Sequence, residues 1–369
     1  MQKPSKLAQI PQIRFAGFTE DWERRKLVDC VDVQSGRDYK HLLEGNIPVY
    51  GTGGYMLSVN EALSYNQDAI GIGRKGTIDK PYILKAPFWT VDTLFYALPR
   101  ENNKLDFLNC IFQKINWKSK DESTGVPSLS KTIINSVDIH IPEETEQTKI
   151  GSYFQSLDKL IALHQSKFEK LQKIKKSCLQ NLFPQNNQNT PKIRFKNFSD
   201  EWENNNLGEI CKIIKGEQIN KLSLLENGKY YVLNGGISPS GYINTYNTLE
   251  NTISISEGGN SCGYVKFNIE KFWSGGHNYT LNELKTKTLF LYSFLKAKQQ
   301  KIMALRVGSG LPNIQKNTLS NISISIPNSE EQEKIGAFFS KLDKLISLQQ
   351  RKVEKLKNIK KALLNKMLI

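Results

Sequence analysis

The sequence predicts an α+β fold: two mixed α/β domains, mainly β, separated by two long helices that form an antiparallel coiled coil. Three observations predict it. Long segments of the 369-residue chain occur twice in the same order, so the fold is a pseudo-two-fold tandem repeat. Two stretches place apolar residues at the spacing of a heptad seam. The stretches before them contain short runs in which apolar and polar residues alternate, as in strands.

Three segments carry the repeat. IRFAGFTEDWERRKL recurs as IRFKNFSDEWENNNL, and GVPSLSKTIINSVDIHIP recurs as GLPNIQKNTLSNISISIP. EQTKIGSYFQSLDKLIALHQSKFEKLQKIKK, from Glu146, matches EQEKIGAFFSKLDKLISLQQRKVEKLKNIKK, from Glu331, most closely. The polar segment between Pro184 and Pro191 predicts a linker between the copies. The repeat therefore divides the chain into a first domain (1–142), a central helix (143–184), a second domain (185–327) and a C-terminal helix (328–369).

The domain interiors predict mainly strands. Apolar and polar residues alternate over Ile133–Ile141, Thr252–Ser256 and Ile322–Ile326, with Gly, Asn and Pro between such runs. Short helices are expected at Leu105–Lys114 and Leu289–Lys301.

The two long helices share one apolar seam with a 4-3-4-3 spacing. Its members are Ile150, Phe154, Leu157, Ile161, His164, Phe168 and Leu171 in the central helix, and Ile335, Phe339, Leu342, Ile346, Gln349, Val353 and Leu356 in the C-terminal helix. Polar gaps also fall at Lys175 and Lys360. Related by a two-fold axis, the helices should run antiparallel with one domain at each end, and His164 should lie near Gln349. Glutamates at both helix starts are expected to complement the helix dipole.

Composition favours a nucleic-acid partner. The net charge is +15, which attracts polyanions, and no apolar run reaches the roughly 20 residues that a membrane span needs. The cysteines are Cys30, Cys110, Cys178, Cys211 and Cys262. Their odd number and wide spacing predict buried thiols in a cytoplasmic protein rather than disulfides or a zinc ribbon.

Motifs for catalysis are weak or absent. The GxGxxG at Gly71–Gly76 is followed by β-branched residues and Pro81, so it predicts a turn between strands and not a dinucleotide site. There is no P-loop, no Asn/Asp-Pro-Pro-aromatic motif and no metal-ligand spacing among the histidines. Asp138, Glu143 and Lys149 resemble a nuclease cluster only loosely, and the second copy lacks both acids.

The glycine-rich loops are the candidate working surface. Base edges are read by hydrogen-bond donors and acceptors, and phosphates by basic side chains. The residues predicted to bind DNA are Tyr50, Thr52, Tyr55, Arg74, Lys75, Asn234, Ser238, Ser240, Tyr242, Asn260 and His277. Trp22 and Trp202, by contrast, are expected in the domain cores.

The duplicated units P-x-I-R-F-x-x-F-x-x-x-W-E and I-P-x-x-x-E-Q-x-K-I-G-x-x-F-x-x-L-D-K-L-I resemble type I restriction–modification specificity subunits across essentially the whole chain. The resemblance implies two target-recognition domains, each reading half of a bipartite, asymmetric double-stranded DNA target. It implies helices that space these domains and dock two methyltransferase subunits, with two restriction subunits outside. S-adenosylmethionine, ATP and magnesium would belong to those partners; this chain would hold no cofactor and catalyse nothing. One departure is that Glu257–Asn260 replaces the basic loop around Arg74.

Three other functions stay open. The chain could be the specificity subunit of a methylation-only or other multi-subunit DNA-modification system, which neighbouring reading frames would reveal. It could be a divergent nuclease, against which the missing carboxylate cluster counts. It could be a scaffold that joins proteins, against which the net charge counts.

Overall fold

The computed structural model describes residues 10–185, 188–308, 310 and 312–369. Residues 1–9 of the first predicted domain, Asn186 and Asn187 of the predicted linker, and Leu311 of the second GLPNI segment lie outside them. The chain folds into two compact units. The first comprises the chain up to Gln165 together with Arg351–Ile369, and the second comprises Ser166–Gln350. Each unit thus contains one globular domain and parts of both long helices.

The first domain and the central helix contain, in chain order, β1 (Glu23–Lys26), α1 (Leu27–Cys30), β2 (Val31–Ser35), β3 (Glu44–Gly51), β4 (Gly54–Val59), β5 (Ala69–Gly73), β6 (Tyr82–Leu84), β7 (Trp89–Thr90), β8 (Leu94–Pro99), α2 (Leu105–Lys114), a 3-10 turn (Trp117–Lys120), α3 (Lys131–Ser136), β9 (Asp138–Ile141) and α4 (Glu144–Asn181).

The second domain and the C-terminal helix contain β10 (Glu203–Asn206), α5 (Leu207–Ile210), β11 (Lys212–Lys215), a 3-10 turn (Lys221–Ser223), β12 (Tyr230–Leu233), β13 (Gly241–Ile243), β14 (Thr252–Ser256), a 3-10 turn (Gly259–Ser261), β15 (Val265–Asn268), β16 (Trp273–Ser274), β17 (Asn278–Asn282), α6 (Thr288–Ala297), α7 (Gln299–Ala304), α8 (Lys316–Ser320), β18 (Ser323–Ile326) and α9 (Ser329–Met367).

The two domains have the same sheet topology. An antiparallel sheet has the order β2-β8-β5-β6 in the first domain and β11-β17-β14-β15 in the second. A second sheet has the order β4-β3-β7 or β13-β12-β16, with one parallel pair. The central strands β5 and β14 are buried at every position, so both of their faces are covered. The predicted α+β class and tandem repeat are confirmed.

Some predicted elements change type or length. The run Ile133–Ile141 is not one strand: its first half lies in α3, because Ser130 caps that helix by accepting a hydrogen bond from the Ile133 amide at 3.2 Å. Only Asp138–Ile141 forms a strand, paired with β1. The helix Leu105–Lys114 is confirmed as α2, whereas the helix predicted over 289–301 is two helices, α6 and α7.

Within each unit, the start of one long helix packs against the end of the other. In the first unit Ile150 and Phe154 of α4 share a core with Leu364 and Met367 of α9. In the second unit Ile335 and Phe339 of α9 share a core with Leu182, just after α4, and Phe183. Chain direction is therefore antiparallel at both places, as the two-fold relation of the repeat predicts. The pairing of residues 164 and 349 stays a prediction, because they belong to different units.

The lysines that interrupt the seam have acidic partners. Lys360 donates to Asp158 at 2.5 Å in the first unit, and Lys175 donates to Asp343 in the second. The four residues occupy equivalent positions in the two copies of the repeat. A charge partly buried in a helix interface is costly unless it is paired, so these ion pairs explain why two seam positions can be lysine.

The repeated glutamate of the E-Q-x-K-I-G segment ties each long helix to its own domain. Arg14 makes two hydrogen bonds of 2.7 Å to Glu146, and Arg194 makes two of 2.8 Å to Glu331. Both glutamates are fully buried. Both also lie in the first turn of their helix, where the helix dipole favours an acid, as expected. Their burial requires a specific counter-ion as well, and the arginine of the I-R-F segment supplies it.

The repeated glycine in E-Q-x-K-I-G marks a close helix contact. A Cβ at Gly151 would lie 2.9 Å from the backbone nitrogen of Phe107, and one at Gly336 would lie 3.0 Å from that of Phe290. The long helix can therefore approach α2 or α6 only without a side chain there. Trp22 and Trp202 are buried in their cores, which confirms the prediction for both.

Candidate nucleic-acid interface

In the first domain, Arg74 and Lys75 form the turn that follows the central strand β5. The turn is held by the GVPSL segment, since the Gly76 amide donates to Pro127 and the Leu129 amide donates to Arg74, at 2.8 and 2.9 Å. The second domain repeats both bonds, from Gly259 to Pro312 and from Ile314 to Glu257, at 2.9 and 2.8 Å. The repeated segment therefore fixes the backbone of this loop in both domains, whatever side chains it carries.

A groove of about 640 Å³ lies beside this turn. Arg74 and Lys75 are exposed along it, and the half-buried Lys131 at the start of α3 borders it too. The Arg74 guanidinium lies 5.8 Å from the Phe95 ring centre and donates to the Asp92 carbonyl at 3.3 Å. These contacts hold the arginine at the groove, and the residue remains exposed there.

Tyr55 and Thr52 line a neighbouring groove of about 660 Å³. Tyr55 and Thr52 lie on the β3–β4 hairpin at its edge, with Tyr55 63% exposed. Tyr50 is half-buried, and its ring packs edge-on against Tyr55 and Tyr82 at 6.4 and 6.2 Å. Both grooves include Asp92 and Thr93. The structure thus brings four of the five residues predicted in this domain to two adjoining grooves, and Tyr50 packs behind Tyr55 without lining either groove.

In the second domain, Asn234 and His277 lie together. The Asn234 Oδ1 accepts a hydrogen bond from the His277 amide at 3.1 Å, so this oxygen holds the loop and leaves the Asn234 Nδ2 for a ligand. Asn260 is exposed in the 3-10 turn that follows β14. Ser256, at the end of β14, joins these loops by donating to the Gly235 and Gly258 carbonyls.

Ser238, Ser240 and Tyr242 lie on the β12–β13 hairpin and its turn. All three are exposed or nearly so. The Ser240 amide donates to the Val232 carbonyl at 2.8 Å, and Tyr242 pairs with Tyr231 across the hairpin. These residues therefore belong to the hairpin that corresponds to the Tyr50–Tyr55 hairpin of the first domain.

Glu257 is a site residue that the sequence prediction did not include. Its side chain is 13% exposed, and its Oε1 accepts hydrogen bonds from Lys215 at 2.6 Å and Tyr279 at 2.9 Å. Its Oε2 lies 3.5 Å from the Nδ1 of His277. Burial and the bond to Glu257 raise the pKa of Tyr279 to about 12, so this hydroxyl stays protonated and donates.

Sequence signals for the missed residues exist but are weak. Glu257 stands where the first copy has Arg74. From the sequence, that difference indicated only that the second domain lacks the basic loop, and it did not indicate a role for the glutamate. Lys131 is equivalent to Lys316 in the second copy, and the repeated segment that contains both lysines indicates a structural role. Nothing in the sequence places Lys215 next to Glu257, because their contact joins β11 and β14 through β17.

The glycine-rich motif and the core cysteines adopt unreactive settings. Gly71–Gly76 ends strand β5 and continues as a turn that leads to strand β6, which confirms the interpretation of the GxGxxG. Burial raises the pKa of the Cys30 thiol to about 11 and that of Cys211 to about 12. Both thiols are therefore protonated at neutral pH, as expected for core cysteines.

None of the described helices has the length and hydropathy to cross a bilayer.

Fold and loops together define a tandem protein with two recognition domains on one scaffold. The model of the type I restriction modification DNA specificity domain matches residues 19–175 and 199–358. The chain belongs to this family.

Named relatives agree with this assignment. A putative type I specificity subunit of Mycoplasma pneumoniae is 36% identical over 158 residues, and one of Mycoplasma genitalium is 36% identical over 167 residues. These alignments span 42% and 43% of this chain and the same shares of those relatives, less than half of either. A specificity subunit of a type I restriction enzyme from Methanocaldococcus jannaschii is 23% identical over 82% of this chain and 76% of its own length.

The fold resembles a solved structure over nearly its whole length. The S subunit of a type I restriction–modification system from M. genitalium superposes with a TM-score of 0.77, covering 98% of this chain and 99% of that one. Sequence identity is 18%, so the likeness concerns the fold.

Proposed function

We propose that the chain is the sequence-specific DNA-binding subunit of a type I restriction–modification complex, with one domain for each half of a bipartite, asymmetric target. One observation carries this proposal. The two domains repeat the same scaffold contacts, yet the loop that follows the central strand carries Arg74 in one and Glu257 in the other. Identical scaffolds with different loop chemistry are suited to reading two different sequences.

The loop residues supply the chemistry for reading DNA. Arg74, Lys75 and Lys131 border one groove and can contact phosphates, which positions a domain without specifying bases. Asn234, His277 and Ser238 offer donors and acceptors for base edges. The net charge of +15 gives the whole chain an attraction for the DNA backbone.

Two methyltransferase subunits would dock on the long helices. Leu160 and Leu163 of α4 are 41% and 50% exposed, and their repeat equivalents Leu345 and Leu348 of α9 are 39% and 41% exposed. Exposed apolar residues that recur at equivalent positions are suited to two copies of one partner. Two restriction subunits would join that assembly, and S-adenosylmethionine, ATP and magnesium would be bound by these partners.

The number of methyltransferase subunits bound to each chain can be tested by substitutions in the long helices. Leu160→Ser with Leu163→Ser should reduce the methyltransferase subunits that co-purify with each chain from two to one. Leu345→Ser with Leu348→Ser should do the same, and the four changes together should leave none. Native mass spectrometry of the complexes would show these masses. Loss of both subunits from either double variant, with the chain still folded, would contradict independent docking.

The function itself is tested by mapping methylated sites. The chain is produced with its methyltransferase in a host without other methylation, and modified bases are located by sequencing. We expect one interrupted, asymmetric sequence, and no methylation or cleavage by the purified chain alone. A second candidate, a methylation-only system, gives the same map, and the absence of cleavage after adding the restriction subunit would favour it. Methylation without sequence preference would contradict the proposal.

A further inference from the structure

We infer that Glu257 is a positioning residue for base reading by the second domain. It orients His277 so that the ring nitrogen Nε2 is presented as a hydrogen-bond acceptor to the exocyclic amino group of an adenine or a cytosine. This inference rests on the proposed function and adds to it a residue and a base class.

The Glu257 carboxylate has a different environment on each oxygen. Oε1 is taken by two donors, the Lys215 ammonium at 2.6 Å and the Tyr279 hydroxyl at 2.9 Å. Oε2 faces the Nδ1 of His277 at 3.5 Å. The Glu257 side chain is 13% exposed and that of His277 is 57% exposed. The glutamate is therefore held in the domain surface, while the imidazole extends to where a ligand can reach it.

The contact selects one state of the neutral imidazole. A carboxylate beside Nδ1 favours the tautomer with the proton on Nδ1, and the proton on one ring nitrogen leaves a lone pair on the other. Nε2 is then an acceptor. In the major groove the complementary donors are the N6 amino group of adenine and the N4 amino group of cytosine.

The backbone around this pair is fixed independently of the carboxyl group. The Glu257 amide donates to the His277 carbonyl at 2.9 Å, and the His277 amide donates to Asn234 Oδ1 at 3.1 Å. The Glu257 carbonyl accepts from Ile314 at 2.8 Å. Changing the carboxyl to an amide therefore leaves the loop in place and alters only what His277 faces.

Among its described residues, the first domain has no such pair. Arg74 occupies the position of Glu257, and it is turned towards the Phe95 ring and the Asp92 carbonyl. A device present in one domain only predicts an effect confined to one half of the target.

Glu257→Gln tests the inference by reversing the polarity of His277. Lys215 and Tyr279 both donate, so they hold the amide oxygen on their side and leave the amide NH₂ facing Nδ1. Nδ1 then accepts, the proton moves to Nε2, and His277 becomes a donor suited to the O6 of guanine or the O4 of thymine. In methylation maps, one position of the second half-site should shift from an amino-bearing to a carbonyl-bearing base by about tenfold, the scale of one mismatched pair. The first half-site should not change.

Glu283→Gln is the matched control. Glu283 pairs with Lys212 at 3.0 Å, beside the same two strands, β11 and β17, at the end away from the loops. This variant should leave both half-sites unchanged. A base shift of the same size in Glu283→Gln would overturn the inference, and so would an unchanged map for folded Glu257→Gln.

His277→Ala gives a second, independent test that does not depend on how Glu257→Gln folds, because the side chain is exposed. It should abolish preference at that same single position. Preference retained there would overturn the inference. If instead the unaltered chain shows no sequence-specific methylation, the proposed function itself fails, and the inference that rests on it fails with it.

Discussion

Arg74 follows the central strand of the first domain, whereas Glu257 follows that of the second. The backbone around both residues is the same, since each loop donates one hydrogen bond to the repeated GVPSL or GLPNI segment and accepts one from it. Below the loops, both domains keep an Arg–Glu pair, a buried tryptophan and a glycine against a helix. In this chain, therefore, the residues that hold the scaffold are the same in both domains, whereas the loop residues at the candidate site differ between them.

The largest expected effect is a loss of stability when the buried glutamate of either unit is removed, and it should be equal in the two units. Glu146→Ala leaves Arg14 buried without its counter-ion, and Glu331→Ala does the same to Arg194. Each change should lower the free energy of unfolding of its own unit by about 3–5 kcal/mol. Urea titration followed by hydrogen exchange would assign the loss to one unit.

Glu330→Ala is the control for that pair of variants. Glu330 precedes Glu331 in the helix but is exposed, and it pairs with Lys334, one turn away. Its loss should change stability little. A large effect from only one of the two buried glutamates would show that the units are not equivalent scaffolds.

Close packing of the long helices gives the next effect. Alanine at Gly151 or Gly336 would place a methyl group against backbone atoms that cannot move aside. Each variant should lose about 1–3 kcal/mol, although glycine to alanine within an exposed helix usually stabilises. Thermal unfolding would measure both.

Gly125→Ala is the control here, because a Cβ at Gly125 meets nothing within 4 Å. Stabilisation by Gly151→Ala or Gly336→Ala would mean that the helices do not approach as closely as the structure shows.

Much of this scaffold could be predicted from the sequence, because the repeat and the heptad spacing can both be recognised in the order of the residues alone. The Arg14–Glu146 pair could not, since it joins residues 132 positions apart and both types are common on surfaces. The strand expected at Ile133 failed because the alternating pattern also fits a short helix capped by Ser130. At the candidate site, polar loops were visible, but the Glu257 cluster arises from three strands that meet only in the fold.

A titration should separate the two domains further. Burial, and then the charge of Lys175, lower the pKa of Lys296 in α6 to about 8, with Asp343 opposing and the Tyr264 ring 4.3 Å away. The equivalent residue of α2 is Gln113, which does not titrate. The unfolded lysine keeps its proton up to about pH 10.4. Between pH 8 and that value the unfolded state therefore binds more protons, so stability of the second unit should rise with pH by about 1–2 kcal/mol.

Lys296→Gln should remove this rise, which unfolding measured from pH 7 to pH 10 would show as a difference from the unaltered chain. Below pH 8 both states hold the proton, so the lysine's cost is constant there. An identical pH profile for the two chains would contradict the lowered pKa.

The smallest expected effect concerns phosphate contact. Arg74→Ala or Lys75→Ala should weaken binding to every DNA sequence, and should reduce the slope of log affinity against log salt by up to about one unit for each lost contact. Ser238→Ala should instead change preference in the second half-site only. Binding titrations at several salt concentrations would separate the two. An altered specificity with an unchanged salt slope for Arg74→Ala would contradict phosphate contact.

Exchanging one domain for the other measures whether each domain reads its own half-site. Residues 193–327 are replaced by a second copy of residues 13–142, so that the first domain stands in both places of the repeat. The repeated scaffold contacts, Arg14 with Glu146 and Arg194 with Glu331, allow this exchange. Methylated sites are then mapped with the methyltransferase present. We expect the asymmetric target to become an interrupted inverted repeat of the first half-site. An active hybrid that still methylates the original asymmetric sequence would contradict one domain per half-site.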